Sequence, residues 1–314
     1  MHGLFGARRM DEPTPQEPKD SLPAAPETSD AAPFPSDAPP WPPLPIPVAR
    51  MVSPPGKSEP SLKNLEFLLF PLSRGQAIVD VVLVLAISLV FDLAIETLLS
   101  LIYGFSPDSA DGIPIALRKA MLFPMLGIRA VTTLGLVGAF VWFRRESFRA
   151  VGLSKRGLAL DGIIGAALTL AIYGIILTTL FFLAHVWPNS SRQLNKNALV
   201  LLDLLPSAGP LAFFAMAATI GLYEELLFRG FIMPRLRRAT GSWLMAVLLS
   251  STIFTALHAM DQTPAALILV AILSISLSII TIWRRSIVAA IVAHALFDFS
   301  QFMFLMLQRD AMQT

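Results

Sequence analysis

The sequence predicts an all-α protein: a polytopic bundle of about seven membrane helices behind a disordered, proline-rich N-terminal tail. Three observations carry that expectation. The 314-residue chain is 54% hydrophobic and only 15% charged, with a mean hydropathy of +0.65 that places it among membrane proteins. Seven apolar stretches, most near or above the ~20 residues a spanning helix needs, fill residues 77–307. Sixteen of the first sixty residues are proline, which leaves that segment nothing to pack and favours polyproline II.

Taken in order, residues 1–62 form the expected tail. It carries five basic and eight acidic residues, a net of −3 against +2 for the whole chain, so the helical part is near +5. No charged start followed by an apolar run and a small-residue site is present, so no cleavable signal peptide is expected. His2 lies in the tail and carries no signal. Residues 63–314 form the helical domain. The short run 65–72 is expected at the interface. The apolar stretches lie near 77–103, 120–143, 160–186, 207–232, 243–260, 264–283 and 286–307. Residues 198–205 either lie at the interface or begin the fourth span, and counted separately they would make eight.

Basic residues orient the bundle. Lys63 and Arg74 precede the first span, and Arg144, Arg145, Arg149, Lys155 and Arg156 crowd the loop after the second. Arg235, Arg237 and Arg238 follow the fourth span, and Arg284 and Arg285 follow the sixth. These loops share one side if the N-terminus is cytoplasmic and the C-terminus is not. Arg118 and Lys119 fall on the opposite side. The modest net charge argues against nucleic acid. The absence of cysteine excludes disulfides, thiolate metal sites and a cysteine nucleophile.

Within the fourth stretch the run Gly221-Leu-Tyr-Glu224-Glu225-Leu-Leu-Phe-Arg229-Gly230 puts two carboxylates and a guanidinium in an apolar span. At about 2.5–3.5 kcal/mol each, three such groups carry a gross penalty of roughly 8–10 kcal/mol before pairing, which points to function. Glu225 and Arg229 are spaced four apart, as an ion pair along one helix face requires. Glu224 is turned about 100° from Glu225 and is left for chemistry. Glu224 lies 17 residues before Gly241 and His258 lies 17 after it. A hairpin turning at Ala239–Ser242 therefore brings both to one depth, provided the first helix continues past Arg229 and Pro234. His294 and Asp298, four apart, share a face of the last helix. A carboxylate in a dry site suits a general base. His258 would share the attacking water, and His294 with Asp298 would stabilise an oxyanion or protonate a leaving amine.

These three motifs, Glu224-Glu225-x-x-x-Arg229, Phe254-x-x-x-His258 and His294-x-x-x-Asp298, together resemble the CPBP family. That is the family of type II CAAX prenyl endopeptidases and bacteriocin-processing (Abi) intramembrane proteases. The resemblance covers about residues 75–307, with the motifs in 207–307. It implies a peptidase in which the first glutamate and the second-motif histidine activate water, and the third-motif pair forms the oxyanion hole. Those roles fall on Glu224, His258, His294 and Asp298. The family often has Asn at the last position; an ionised Asp298 cannot donate to an oxyanion and would instead orient His294.

The family is usually described as metalloproteases. A zinc ion held by Glu224, His258 and His294 and a water activated without metal both stand as arrangements. The absence of a His-Glu-x-x-His helix favours the second. The expected partners are the bilayer and a peptide or membrane-associated protein substrate. The expected location is the bacterial inner membrane. An inactive scaffold of the same fold is the alternative reading, and a proton-coupled transporter using Asp80, Asp92 and Glu224 is a third.

Other polar residues have structural readings. One of Asp80, Asp92 and Glu96 is expected to form a structural pair with Arg129. Phe254 packs against His258, and His185 beside Trp187-Pro188 is interfacial. Ser274, Ser276 and Ser278 form a close helix-packing face. The turn Arg235–Arg238 meets headgroups.

Overall fold

The computed structural model describes residues 72–103, 115–153 and 157–313. The tail 1–62, Lys63, Lys155, Arg156 and the interfacial run up to residue 71 lie outside the described residues, as does the side chain of Glu96. All regular structure among the described residues is helical. The elements are α1 (Arg74–Tyr103), α2 (Ile115–Phe143), a 3-10 turn (Phe148–Val151), α3 (Leu158–Val186), α4 (Ser190–Leu204), α5 (Pro210–Glu225), a π-helical segment (Leu226–Ile232), α6 (Met233–Thr240), α7 (Trp243–Leu257), α8 (Pro264–Arg284) and α9 (Val288–Gln313).

Among the described residues six helices are long and apolar enough to cross a membrane, and the chain is an integral membrane protein. One of them runs unbroken from Pro210 to Thr240 through the π segment. The outward faces agree: Leu170 and Phe181 on α3 and Val131 on α2 are more than 70% exposed, which suits lipid and not water. The fifth apolar stretch makes only the 15-residue α7, about 22 Å long. It stops at His258, and turns over 258–262 lead to Thr263, held extended before Pro264, which opens α8. Residues 198–205 belong to α4, whose buried Asn197 and Leu202 face inward while Leu199 and Val200 are exposed.

Packing centres on α9, which lies against α5 and α3. Two glycines set how close. A Cβ on Gly165 of α3 would meet the Ala289 carbonyl oxygen at 2.5 Å, and one on Gly221 of α5 would meet the Ile291 oxygen at 3.0 Å. Both close approaches therefore require a residue with no side chain. Around the π segment, Phe228, Phe231, Ile232 and Met233 build a core with Val81, Val84, Val137, Val141 and Phe254. Pro234, lacking an amide hydrogen, follows directly and removes one α-type bond. Gly241 ends α6 in the left-handed conformation (φ 75°), and the Ser242 hydroxyl caps α7.

The end of the bundle that carries the Gly241 turn is tied by charge. Asp80 accepts from Arg144 at 2.5 Å and from Arg235 at 3.1 Å. Arg235 also donates to both Glu146 oxygens, at 3.0 and 3.1 Å, and lies over the Phe231 ring. Arg235 is thus fully buried rather than at headgroups, a correction to its sequence reading. The cause is partner supply: three carboxylate oxygens from α1 and the α2–α3 loop converge where α6 begins. Arg238 donates to the Leu72 carbonyl, and Arg237 lies over Trp243. Burial pushes the Glu146 carboxyl above its ordinary range, against the pull of Arg235.

Candidate active site

Glu224 and Glu225 end α5, and Arg229 sits inside the π segment that follows. A π turn is wider than an α turn and is often found at functional sites. Arg229 is fully buried and well supplied: it donates to Glu225 Oε1 at 2.7 Å, and to the Ser274 carbonyl and hydroxyl oxygens at 2.8 and 2.9 Å. Ser278 lies 3.4 Å from its Nε. Ser274 and Ser278, one turn apart on α8, are acceptors for this guanidinium as well as packing residues. Ser276, on another face, returns its hydroxyl to the Ile272 carbonyl.

Glu225 Oε1 has a second partner, His294 Nδ1 at 2.8 Å. Since that oxygen already accepts from Arg229, the ring nitrogen facing it is the donor. His294 is thereby fixed from α5. Its other nitrogen, Nε2, lies 3.9 Å from Glu224 Oε2 and 3.6 Å from Asp298 Oδ2. The sequence reading gave the orienting role to Asp298. The carboxylate at hydrogen-bond distance is Glu225, because the close α5–α9 approach at Gly221 brings a residue 69 positions away nearer than one on the same helix.

Both separations at Nε2 exceed a direct hydrogen bond, so this nitrogen is committed to neither carboxylate. Glu224 and Asp298 are partly exposed while His294 is buried, so the gap opens on the carboxylate side. The Tyr223 hydroxyl donates to Glu224 Oε1 at 3.2 Å, a contact between sequence neighbours that sequence reasoning missed. His258 caps α7, and its Nδ1 faces the Phe254 carbonyl at 2.8 Å, so Nε2 is its remaining nitrogen. Asp298 is near enough to Glu224, His258 and His294 for their charges to act on it. Phe254 is a wedge: its ring is 4.6 Å from that of His258, 6.4 Å from that of His294, and 4.9 Å from the Arg229 guanidinium carbon.

On the other side of α5, Arg129 of α2 pairs with Asp92 of α1 at 2.5 Å, and its charge reaches Tyr223 and Glu224. An apolar groove of about 280 Å³ runs between α2 and α5, lined by residues including Phe123, Gly127, Ala215 and Thr219. Thr219 is four residues before Tyr223, so Tyr223 continues the face of α5 that lines the groove.

Among the described residues no group of three or more His, Asp or Glu side chains is arranged to hold a metal ion. Of the three sequence candidates Glu224, His258 and His294, each histidine has its Nδ1 held, by the Phe254 carbonyl and by Glu225, which leaves Nε2 as the nitrogen free for water or a metal ion. His294 Nε2 stands 3.9 Å from Glu224 Oε2.

Residues 206–300 match the family model for type II CAAX prenyl endopeptidase Rce1-like proteins. These residues, 95 of the 314, form a domain of the CPBP family. The match contains every member of the cluster just described, from Tyr223 to Asp298, and leaves out α1 to α4. This is a peptidase family. No curated protein and no solved structure matches the chain.

Proposed function

We propose that this CPBP-family protein is an intramembrane endopeptidase that hydrolyses a peptide bond near the cytoplasmic face, using a water activated by Glu224 and His258. The observation that carries the reading is the Glu225 clamp on His294. It leaves Nε2 beside Glu224 and Asp298 at 3.9 and 3.6 Å, beyond a direct hydrogen bond to either and so uncommitted.

Glu224 takes a proton from water, and the resulting hydroxide adds to the scissile carbonyl carbon. Tyr223 holds the other Glu224 oxygen, which aims the basic one. His258 holds the water through its free nitrogen. The oxyanion that forms accepts from His294 Nε2–H, whose direction Glu225 fixes from across the ring. Asp298 borders the same nitrogen and keeps it turned to the gap. As the C–N bond breaks, Glu224 returns its proton to the departing amine. Products are one carboxylate and one amine, and no step requires a metal.

The α2–α5 groove gives an apolar approach to Glu224 and suits a substrate held in or at the bilayer. The N-terminus is cytoplasmic, and the setting is a bacterial inner membrane.

The test compares new protein N-termini in membranes carrying wild type or Glu224→Gln at matched abundance, then repeats the cleavage with purified protein. Products confined to wild type are expected, with a rate loss of about 100-fold or more in the variant. Identical N-termini in both would end the peptidase reading in favour of a scaffold of the same fold.

A further inference from the structure

His258 stands on the last turn of α7, yet the loop after it is not held by α7 or α8 alone. A second polar network reaches it from α4. Asn197 Nδ2 donates to Gln262 Oε1 at 2.6 Å, and Asn197 Oδ1 accepts from the Thr263 amide at 3.1 Å. Gln193 Oε1 accepts from the Ala265 amide at 3.1 Å, and the Gln193 carbonyl accepts from the Thr263 hydroxyl at 3.3 Å. The loop is in turn fastened to His258, whose carbonyl accepts from the Asp261 and Gln262 amides at 3.2 and 3.0 Å.

A helix start leaves its first amides without partners, and a residue just before it ordinarily supplies the cap. Thr263, at that position on α8, makes no capping bond with its side chain. The acceptors come instead from another helix. Asn197 is buried, and both ends of its amide are used. Replacing these bonds with water would require opening the α4–α8 contact.

We infer that α4 is a clamp that sets the depth and direction of His258, with Asn197 and Gln193 as positioning residues. The inference rests on the peptidase reading for its catalytic part. It adds a dependence the family match does not contain, since α4 lies before residue 206. The path is short and made of hydrogen bonds: Asn197 to Gln262, Gln262 to the His258 carbonyl, and the His258 ring to Phe254.

The test uses the full chain in lipid nanodiscs with Asn197→Ala, Asn197→Asp and Gln193→Ala. Amide exchange over residues 258–266 and the 15N resonances of the His258 ring are read first. Turnover is read on a quenched peptide spanning a cleavage site mapped in the Glu224→Gln comparison. Asn197→Ala is expected to speed exchange at Thr263 about ten-fold, as loss of one hydrogen bond implies. It should shift the His258 Nδ1 resonance and lower kcat about ten-fold with KM moved less than about two-fold. Asn197→Asp keeps the acceptor for Thr263 and loses the donor to Gln262, so it should be intermediate. Unchanged exchange, or faster exchange with an unchanged His258 resonance and kcat, overturns the inference. If wild type cleaves nothing, the peptidase reading fails on its own, and exchange with the ring resonance still decides whether α4 holds the loop. Should Asn197→Ala fail to fold, Gln193→Ala, which frees only the Ala265 amide among these side-chain bonds, carries the same readouts.

Discussion

Replacing Glu225 with Ala should cost the protein much of its stability, and the size of the loss follows from what the carboxylate touches. Its Oε1 is the anionic partner of a fully buried guanidinium and the acceptor for a buried imidazole. Leaving Arg229 buried without its counter-charge costs about 3–5 kcal/mol. Leaving the His294 Nδ1 donor unpaired adds about 1–3 kcal/mol. One gain offsets them: Glu225 Oε2 is buried with no hydrogen-bond partner, and its removal returns about 1–3 kcal/mol. The expected net loss is about 3–5 kcal/mol, a large share of the roughly 5–15 kcal/mol typical of folded domains. Glu225→Gln keeps an oxygen able to accept from both partners and removes only the charge, so it should lose less. The assay is reversible unfolding in mixed micelles, run as a cycle with Arg229→Met. The double variant removes the orphaned charge, so the coupling should be about 2 kcal/mol or more. Additive losses, or an Ala variant within about 1 kcal/mol of wild type, would refute the view that one oxygen holds both cation and histidine.

Other consequences are open to measurement. Gly221→Val should drive α9 from α5, because even a Cβ lies 3.0 Å from the Ile291 oxygen and 3.1 Å from the Ala295 nitrogen. Turnover should fall up to about 100-fold for a displacement near 1 Å, at a wild-type KM, and a smaller loss than that of Gly174→Val, where a Cβ meets nothing within 4 Å, would contradict the packing argument. Arg235→Met leaves Asp80 and Glu146 facing each other with Arg144 alone, and thermal unfolding should register a loss of about 3–5 kcal/mol. Glu146 holds its proton more tightly folded than unfolded. Its contribution is therefore full below the ordinary glutamate pKa and is lost as pH rises through the raised one. Glu146→Gln should flatten the fall in unfolding midpoint over that acid window, and an unaltered slope counts against a raised value.

Local patterns in the chain translated directly into structure. The apolar stretches became α1 to α3 and α5 to α9 because bilayer-length hydrophobicity is a one-dimensional property. The Glu225–Arg229 spacing reads as one helix face, and the two are joined at 2.7 Å. The early end of α7 was not legible, because the loop that follows it takes its acceptors from α4, 66 and 72 residues earlier. The grip of Glu225 on His294 was not legible either. It needs the distance between two helices, and that distance is set by a glycine whose neighbours lie 70 and 74 residues away. Arg235 looked like a headgroup residue from its basic surroundings, and nothing nearby in sequence announces Asp80, 155 residues earlier.

The π segment between Glu225 and Met233 separates two obligations of a single rod. Upstream, the rod must aim Glu224 and Glu225 at α9; downstream, it must deliver Arg235 to Asp80 and Glu146. An α-helix advances about 100° per residue, so its two ends have a locked phase. A wide turn resets that phase, as a spacer resets the teeth of two gears on one shaft. Straightening residues 226–232 into α-helix without changing their number would therefore leave a sound helix that satisfies one end and turns the other about a quarter of a revolution away from its partners.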